Sequence, residues 1–187
     1  RSTPLCATNN CRASLYSSTG GKDSSIWRKV STVKITNTVE TLRAVDIELV
    51  AKIHATCFYD AWGPSMIRQV LDMPGTFALI VRRKNYSSII GFALARIVAD
   101  ECELLSLGVE SEYRANGAGS LLLTATMARA TLERARWFFL EVAEDNDVAL
   151  RLYRAHGLAR VGYRLNYYDN ADGTKTNALT MRCQLPE

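Results

Sequence analysis

A carboxylate set into an apolar strand is the first feature of this sequence that could do chemistry. Glu141 follows Trp137-Phe138-Phe139-Leu140 and precedes Val142. A charge in such a run is costly to bury unless it is paired, and burial raises a carboxyl pKa toward values useful to a general base. The alternative is a charge at an exposed strand end, with Glu144 and Asp145 as a solvated turn. Tyr153 lies on the next helical stretch, where its hydroxyl could face the same spot or its ring could simply fill the core. The second feature is Arg114-Ala115-Asn116-Gly117-Ala118-Gly119-Ser120, a glycine-bearing loop between a strand and a long helix. Such a loop aims consecutive N–H groups at one point, and the positive end of the helix dipole adds attraction for an anion. Gly117 and Gly119 place no Cβ between ligand and backbone. The spacing fits a phosphate site, and it also fits a plain turn and helix start. No GxxxxGK[ST] occurs, and the third glycine and repeated βαβ units of a dinucleotide site are missing.

The elements that must position these residues can be read from periodicity. A short strand is expected over Val33–Thr38. A helix over Thr41–Ala55 would carry Leu42, Val45, Ile47, Val50, Ile53 and, just beyond it, Cys57 on one face. Pro64 starts a second, shorter helix with Met66, Ile67, Val70 and Leu71, and Pro74-Gly75 ends it. Strands at Thr76–Arg83 and Ser88–Val98 are separated by Lys84-Asn85-Tyr86, a hairpin signal, and Cys102–Val109 continues an antiparallel meander. Leu121, Ala125, Ala128, Leu132 and Ala135 recur at helical spacing after the glycines. Trp137–Val142 has strand length, Asn146–Ala155 reads as a helix stopped by Gly157, and two strands near Arg160–Tyr168 and Asn177–Gln184 flank a turn at 169–173.

The order strand, R-x-x-G-x-G, helix, W-F-F-L-E-V, then N-x-x-A-x-x-L-Y-x-x-x-G-L resembles the GNAT acetyltransferase superfamily over about Val33 to Leu185. Within it, Phe139-Leu140-Glu141-Val142, Asn146 with Tyr153, Arg164 with Asn166-Tyr167-Tyr168, and Asp172-Gly173 through Ala178-Leu179-Thr180-Met181 resemble the bacterial ribosomal-protein-alanine acetyltransferases of the RimI type. Trp62 before the second helix also fits that group. The resemblance implies an α+β fold, the GNAT acyl-CoA N-acyltransferase fold. Its central sheet is mixed and mostly antiparallel, flanked by helices, and splayed between the third and fourth main strands around acetyl-CoA. It implies that Leu107-Gly108-Val109 offers backbone groups to the pantetheine arm. Arg114 and the run Ala115, Asn116, Gly117, Ala118, Gly119 and Ser120 would cradle the pyrophosphate, and Asn146 would bond the cofactor's arm. Glu141 would be the general base and Tyr153 the proton donor to the thiolate, while Trp62, Tyr167 and Tyr168 would wall the peptide entrance. As ordinary core or rim aromatics these three fit equally well. The chain departs from the family's usual pattern at Ala115 and Ser120, where basic residues are common, and at Lys175-Thr176-Asn177, where an acidic pair is common. The implied acceptor is a protein or peptide N-terminus, a ribosomal protein in the RimI type.

The 187 residues, 48% of them hydrophobic, suit one domain with a full core. Twenty-three basic against 19 acidic residues give a net charge of +4, compatible with an anionic ligand and too small to argue nucleic-acid binding. The five cysteines are scattered and the two histidines lie far apart, which points to a reducing, cytoplasmic setting and to no metal site. No apolar stretch approaches the roughly 18 to 20 residues of a membrane span. A monomer or weak dimer is expected. Residues 1–31 lack periodicity, are rich in Ser, Thr, Asn and Gly, and carry no acid before Asp23; they read as a disordered leader, with an organelle-targeting peptide as the alternative. A start at Arg1 rather than Met fits processing, truncation or a residue added in cloning. Two rivals remain: the same catalyst acting on a lysine or small-molecule amine, and an acetyl-CoA-binding domain without turnover. Deleting residues 1–30 is expected to leave melting temperature and turnover nearly unchanged, since that segment has no apolar face to dock; a large fall in either would refute the leader reading.

Overall fold

The structure, a computed structural model, describes residues 37–83, 88–170 and 172–186. The leader, Lys84-Asn85-Tyr86 and most of the expected first strand fall outside them. Among the described residues, seven strands form one sheet in the order β1-β2-β3-β4-β5-β7-β6. They are β1 (Asn37–Thr41), β2 (Thr76–Arg83), β3 (Ile89–Val98), β4 (Glu101–Val109), β5 (Trp137–Ala143), β6 (Ala159–Asp169) and β7 (Lys175–Gln184). All neighbours are antiparallel except β4 and β5, which run parallel and pair only from Glu101↔Trp137 to Leu104↔Leu140. There the two strands part, the third and fourth main strands once short β1 is set aside. Opposite β3 the register of β4 slips at the same level: Leu94 faces Ser106 while Ala95 faces Leu104. Leu105 is thus the extra residue of a β-bulge, which bends β4 away from β5 where their pairing ends.

Helices α1 (Ile47–Cys57) and α2 (Pro64–Leu71) cover one face of the sheet, and α3 (Ala118–Leu132) and α4 (Asp147–Ala155) cover the other. The expected first helix starts later than its periodicity suggests, because Thr41 still belongs to β1 and a 3₁₀ turn, Ala44–Asp46, intervenes. Val45 is 76% exposed. Asp46, buried beside it, bonds Arg43 and Arg82, which hold its carboxyl below the usual range. In α3 the expected face is corrected: Ala118, Leu122, Leu123, Thr126 and Ala130 turn inward, whereas Leu132 is 82% exposed. Apolar residues occupy nearly every side of this helix, so periodicity could not choose; its packing on β2, β3 and β4 did.

His54 of α1 is fully buried between the rings of Phe58, Trp62 and Phe92. The Trp62 backbone N–H donates to His54 Nδ1 at 3.1 Å, so Nδ1 is bare and Nε2 carries the proton. Charging the ring would break that bond inside an apolar cluster, and burial lowers the His54 pKa to about 4. An unfolded histidine titrates near 6.5, so below that pH the unfolded chain gains a proton that the native chain refuses. Stability should therefore fall by about 3 kcal/mol between roughly pH 6.5 and 4, at about 1.36 kcal/mol for each pH unit, and level off below. Urea midpoints compared for the wild type and His54→Leu check this: the difference between the two should change over that window, and a constant difference would refute it.

Candidate active site

Where β4 and β5 separate, a cleft of about 500 Å³ opens, walled by both strands, the end of α1, the start of α3 and the start of α4. Glu141, Tyr153, Leu107, Gly108, Val109, Arg114, Ala115, Gly117, Gly119, Ser120 and Asn146 all line it. Asn116 is exposed on the loop and Ala118 is buried under it, so neither side chain reaches the cleft. The structure also brings in Cys57 at the end of α1, Phe58 just after it, and Val148, Ala149 and Leu152 from α4. Nothing in the sequence marks these, since they are ordinary apolar positions at helix ends.

Beyond Leu104 the β5-facing edge of β4 has no strand partner among the described residues, which leaves its backbone groups to the cleft. Not all of them are free. The Val109 carbonyl accepts from Arg114 Nε at 2.9 Å and from Cys57 Sγ at 3.5 Å. The Arg114 side chain is thus folded back onto the strand end, with Nη2 3.6 Å from Cys57 Sγ. Ala115 and Gly117 take left-handed conformations at φ 59° and 82°, the alternation that turns successive N–H groups to one side. Gly117 precedes α3 without a side-chain cap, so the first-turn amides remain available to a ligand. At α4 the situation is reversed: Asn146 Oδ1 caps the helix by accepting the Ala149 N–H at 3.1 Å, which leaves the Asn146 amide hydrogens for other partners. An uncapped helix start at one end of an apolar slot with an unpaired strand edge fits a pyrophosphate joined to an amide-bearing arm.

Glu141 is 13% exposed and meets the pairing demand of its apolar strand through Arg164, whose Nε lies 2.8 Å from Oε1. Tyr167 bonds the same carboxylate; burial and that bond raise its hydroxyl to about 12. Glu103, one strand over, alternates with the core residues Cys102 and Leu104 as Glu141 does with Leu140 and Val142, so both carboxylates lie on one face. Burial, then the charge of Glu141, raise the Glu103 pKa, against Arg164 and Arg96. Glu103 is the residue that sequence reasoning misses, although it gives the same signal as Glu141. Tyr153 is buried and its hydroxyl is pushed up to about 12.

Two of the three expected entrance aromatics are corrected. Trp62 is packed against His54 within the core under α1 and α2, and Tyr168 is 1% exposed, enclosed with Ala143 and Ala178. Neither can wall an open entrance. Of the three, Tyr167 alone is half-buried rather than enclosed, and it stands beside Glu141.

The sequence pattern of the Acetyltransferase (GNAT) family matches residues 47–158. The chain belongs to this family. It is 34% identical over 139 residues to the N-alpha-acetyltransferase RimI of Mycobacterium tuberculosis, covering 70% of this chain and 84% of that one. It is 28% identical over 147 residues to the [ribosomal protein bS18]-alanine N-acetyltransferase of Haemophilus ducreyi, covering 79% and 99%. The fold also matches the crystal structure of the ribosomal-protein-S18-alanine N-acetyltransferase from Escherichia coli, with a TM-score of 0.74 at 23% identity over 81% of this chain and 96% of that one. GNAT membership makes this chain an acetyl-CoA-dependent N-acetyltransferase, and its mixed seven-stranded sheet is the GNAT fold.

A Cβ on Gly119 would sit 3.5 Å from Leu152 and 3.9 Å from Leu107 and Val109, ordinary contact distances. Gly119→Val should therefore fold while its branched side chain fills the space beside the first-turn amides. Calorimetry with acetyl-CoA should find at least about tenfold weaker binding, the equivalent of about one charge-assisted hydrogen bond. Unchanged affinity would place the phosphates elsewhere.

Proposed function

We propose that this GNAT enzyme acetylates a protein N-terminal α-amino group, with an alanine-starting ribosomal protein as the acceptor class. The observation that carries the reading is a single cleft bearing a paired carboxylate, Glu141, and a buried phenol, Tyr153, on separate walls. The names of the RimI-type relatives supply the acceptor class.

The attacking amine must be neutral. An α-amine with a pKa near 7.8 is roughly one part in seven neutral at pH 7, whereas a lysine near 10.4 is roughly one part in 2,500. A modest base is enough for the first. Glu141 accepts the amine's proton, directly or through water, and Arg164 and Tyr167 fix the carboxylate's direction. Acetyl-CoA supplies the activated acyl group as a thioester. Arg114 braces the end of β4, Asn146 offers its amide hydrogens to the arm, and the amides of the Ala115–Ser120 loop hold the pyrophosphate. Tyr153, near 12, is a weaker acid than a thiol near 8.5, so the proton transfer expected of it is corrected to a hydrogen bond: the amine nitrogen replaces the sulfur on the acyl carbon, and the thiolate leaves with a hydrogen bond from Tyr153 and takes its proton from water. Proximity supplies the rest.

Glu141→Gln should lower turnover on an alanine-starting peptide by about 10² to 10³-fold at pH 7 with little change in acetyl-CoA affinity, and the loss should shrink as pH rises and more amine is already neutral. Tyr153→Phe should slow turnover by about 10- to 100-fold without that rescue. Initial rates from pH 6 to 10 decide this: both variants within about threefold of wild type would remove the assigned roles. Faster acetylation of lysine side chains or polyamines than of peptide α-amines would overturn the acceptor class.

A further inference from the structure

His156 stands where α4 ends, and its ring reaches across to α3. Nδ1 lies 2.8 Å from the Leu152 carbonyl oxygen, while Nε2 lies 3.0 Å from Ser120 Oγ and 3.3 Å from Thr124 Oγ1. A carbonyl oxygen only accepts, so Nδ1 carries a proton in both charge states of the ring. In the neutral ring Nε2 is therefore bare and accepts the Ser120 hydroxyl hydrogen. In the charged ring Nε2–H donates to Ser120 Oγ, and the hydroxyl's own hydrogen is released to another acceptor. Ser120 lines the cleft in the uncapped first turn of α3, one residue from Gly119. The charge state of His156 thus decides whether the cleft meets a lone pair or a donor at this position.

We infer that His156 is a positioning residue for the pyrophosphate of acetyl-CoA: on taking up a proton it turns the Ser120 hydroxyl toward the phosphate oxygens, so that cofactor binding and proton uptake are coupled. The inference rests on the reading that this loop holds the pyrophosphate. The groups facing the ring are the Ser120 and Thr124 hydroxyls from α3 and the Leu152 carbonyl from α4. Arg151 and Arg154 on α4 are exposed, Arg160 at the start of β6 lies over the Tyr163 ring, and among the described residues no carboxylate pairs with His156. A ligand that favours the charged ring binds more weakly as pH rises.

The 3′-phosphate of acetyl-CoA has its own ionisation near pH 6, so the decisive ligand is 3′-dephospho-acetyl-CoA, whose pyrophosphate stays fully ionised throughout. Calorimetry from roughly pH 5.5 to 8.5 should find its affinity about fivefold weaker at the top of the range, with heats that depend on buffer ionisation enthalpy as proton uptake requires. His156→Gln, whose amide can donate to Ser120 at every pH, should bind it with a flat profile near the low-pH wild-type affinity. Ser120→Ala, which leaves the imidazole and its Leu152 bond in place, should be flat and weak. A flat wild-type profile, or a slope that survives in either variant, would overturn the inference while leaving the cofactor assignment standing. If neither acetyl-CoA nor its dephospho form bound at any pH, the assignment and the inference would fall together.

Discussion

Four rungs tie β4 to β5, and after Leu104↔Leu140 the hydrogen bonding between them stops although both strands continue. They cannot close again, because each is held along its far edge: β4 stays paired with β3 through Val109, and β5 with β7 through Ala143. The bulge at Leu105 sets the bend, and the opening is enforced from both sides. A buried strand edge without a partner carries N–H and C=O groups that must be satisfied by something other than the sheet. A ligand with amides along its length satisfies them, which is why the gap reads as a binding slot and not as a packing fault.

The same parting places two helix starts at one cleft, since α3 follows the end of β4 and α4 follows the end of β5. They are not equivalent. The start of α4 is closed by the Asn146 cap and carries Asp147 in its first turn, whereas the start of α3 has no side-chain cap and no acid there. Two like dipoles converge, and only the open one can take an anion. The arrangement thus makes the cleft asymmetric, with an open helix start at Gly117 and the paired carboxylate of Glu141 on another wall.

Much of this is legible in the sequence because the deciding residues break local rules. A carboxylate in an apolar strand and two glycines at a helix start are conspicuous one at a time, and Glu141, Gly117 and Gly119 do meet at one cleft. The order of strands and helices is legible for the same reason, as hydrophobic period changes at each boundary. What cannot be read is whatever depends on which side of an element faces inward. The inward side of α3 escapes because its sequence is apolar all round, and Trp62 and Tyr168 pass for entrance aromatics because an aromatic ring looks alike in a core and at a rim. Glu103 carries the same local signal as Glu141, and what escapes is that β5 lies beside its strand and brings the two carboxylates together. Ser120–His156 joins residues 36 apart, and Glu141–Arg164 joins two strands that are not neighbours in the sheet, with β7 between them.

Burial sorts the two proton-handling groups into their proposed roles. Acetyl transfer to an ammonium group must shed a proton at the amine and stabilise negative charge at the sulfur, so the two ends of the cleft need opposite chemistry. Glu141 sits beside the half-exposed Arg164, near solvent, where a proton taken from the amine can pass on to water. Tyr153 is enclosed by α4 and the core, and the desolvation that lifts its pKa to about 12 also keeps its hydrogen in place as a donor. Exchanging these environments would defeat both functions: an exposed phenol would share its hydrogen with water, and a carboxylate enclosed without Arg164 would hold its proton and could not act as a base. The division of labour therefore follows from where β5 and α4 stand relative to the sheet's opening, and it would be lost if β4 and β5 were zipped together to their ends.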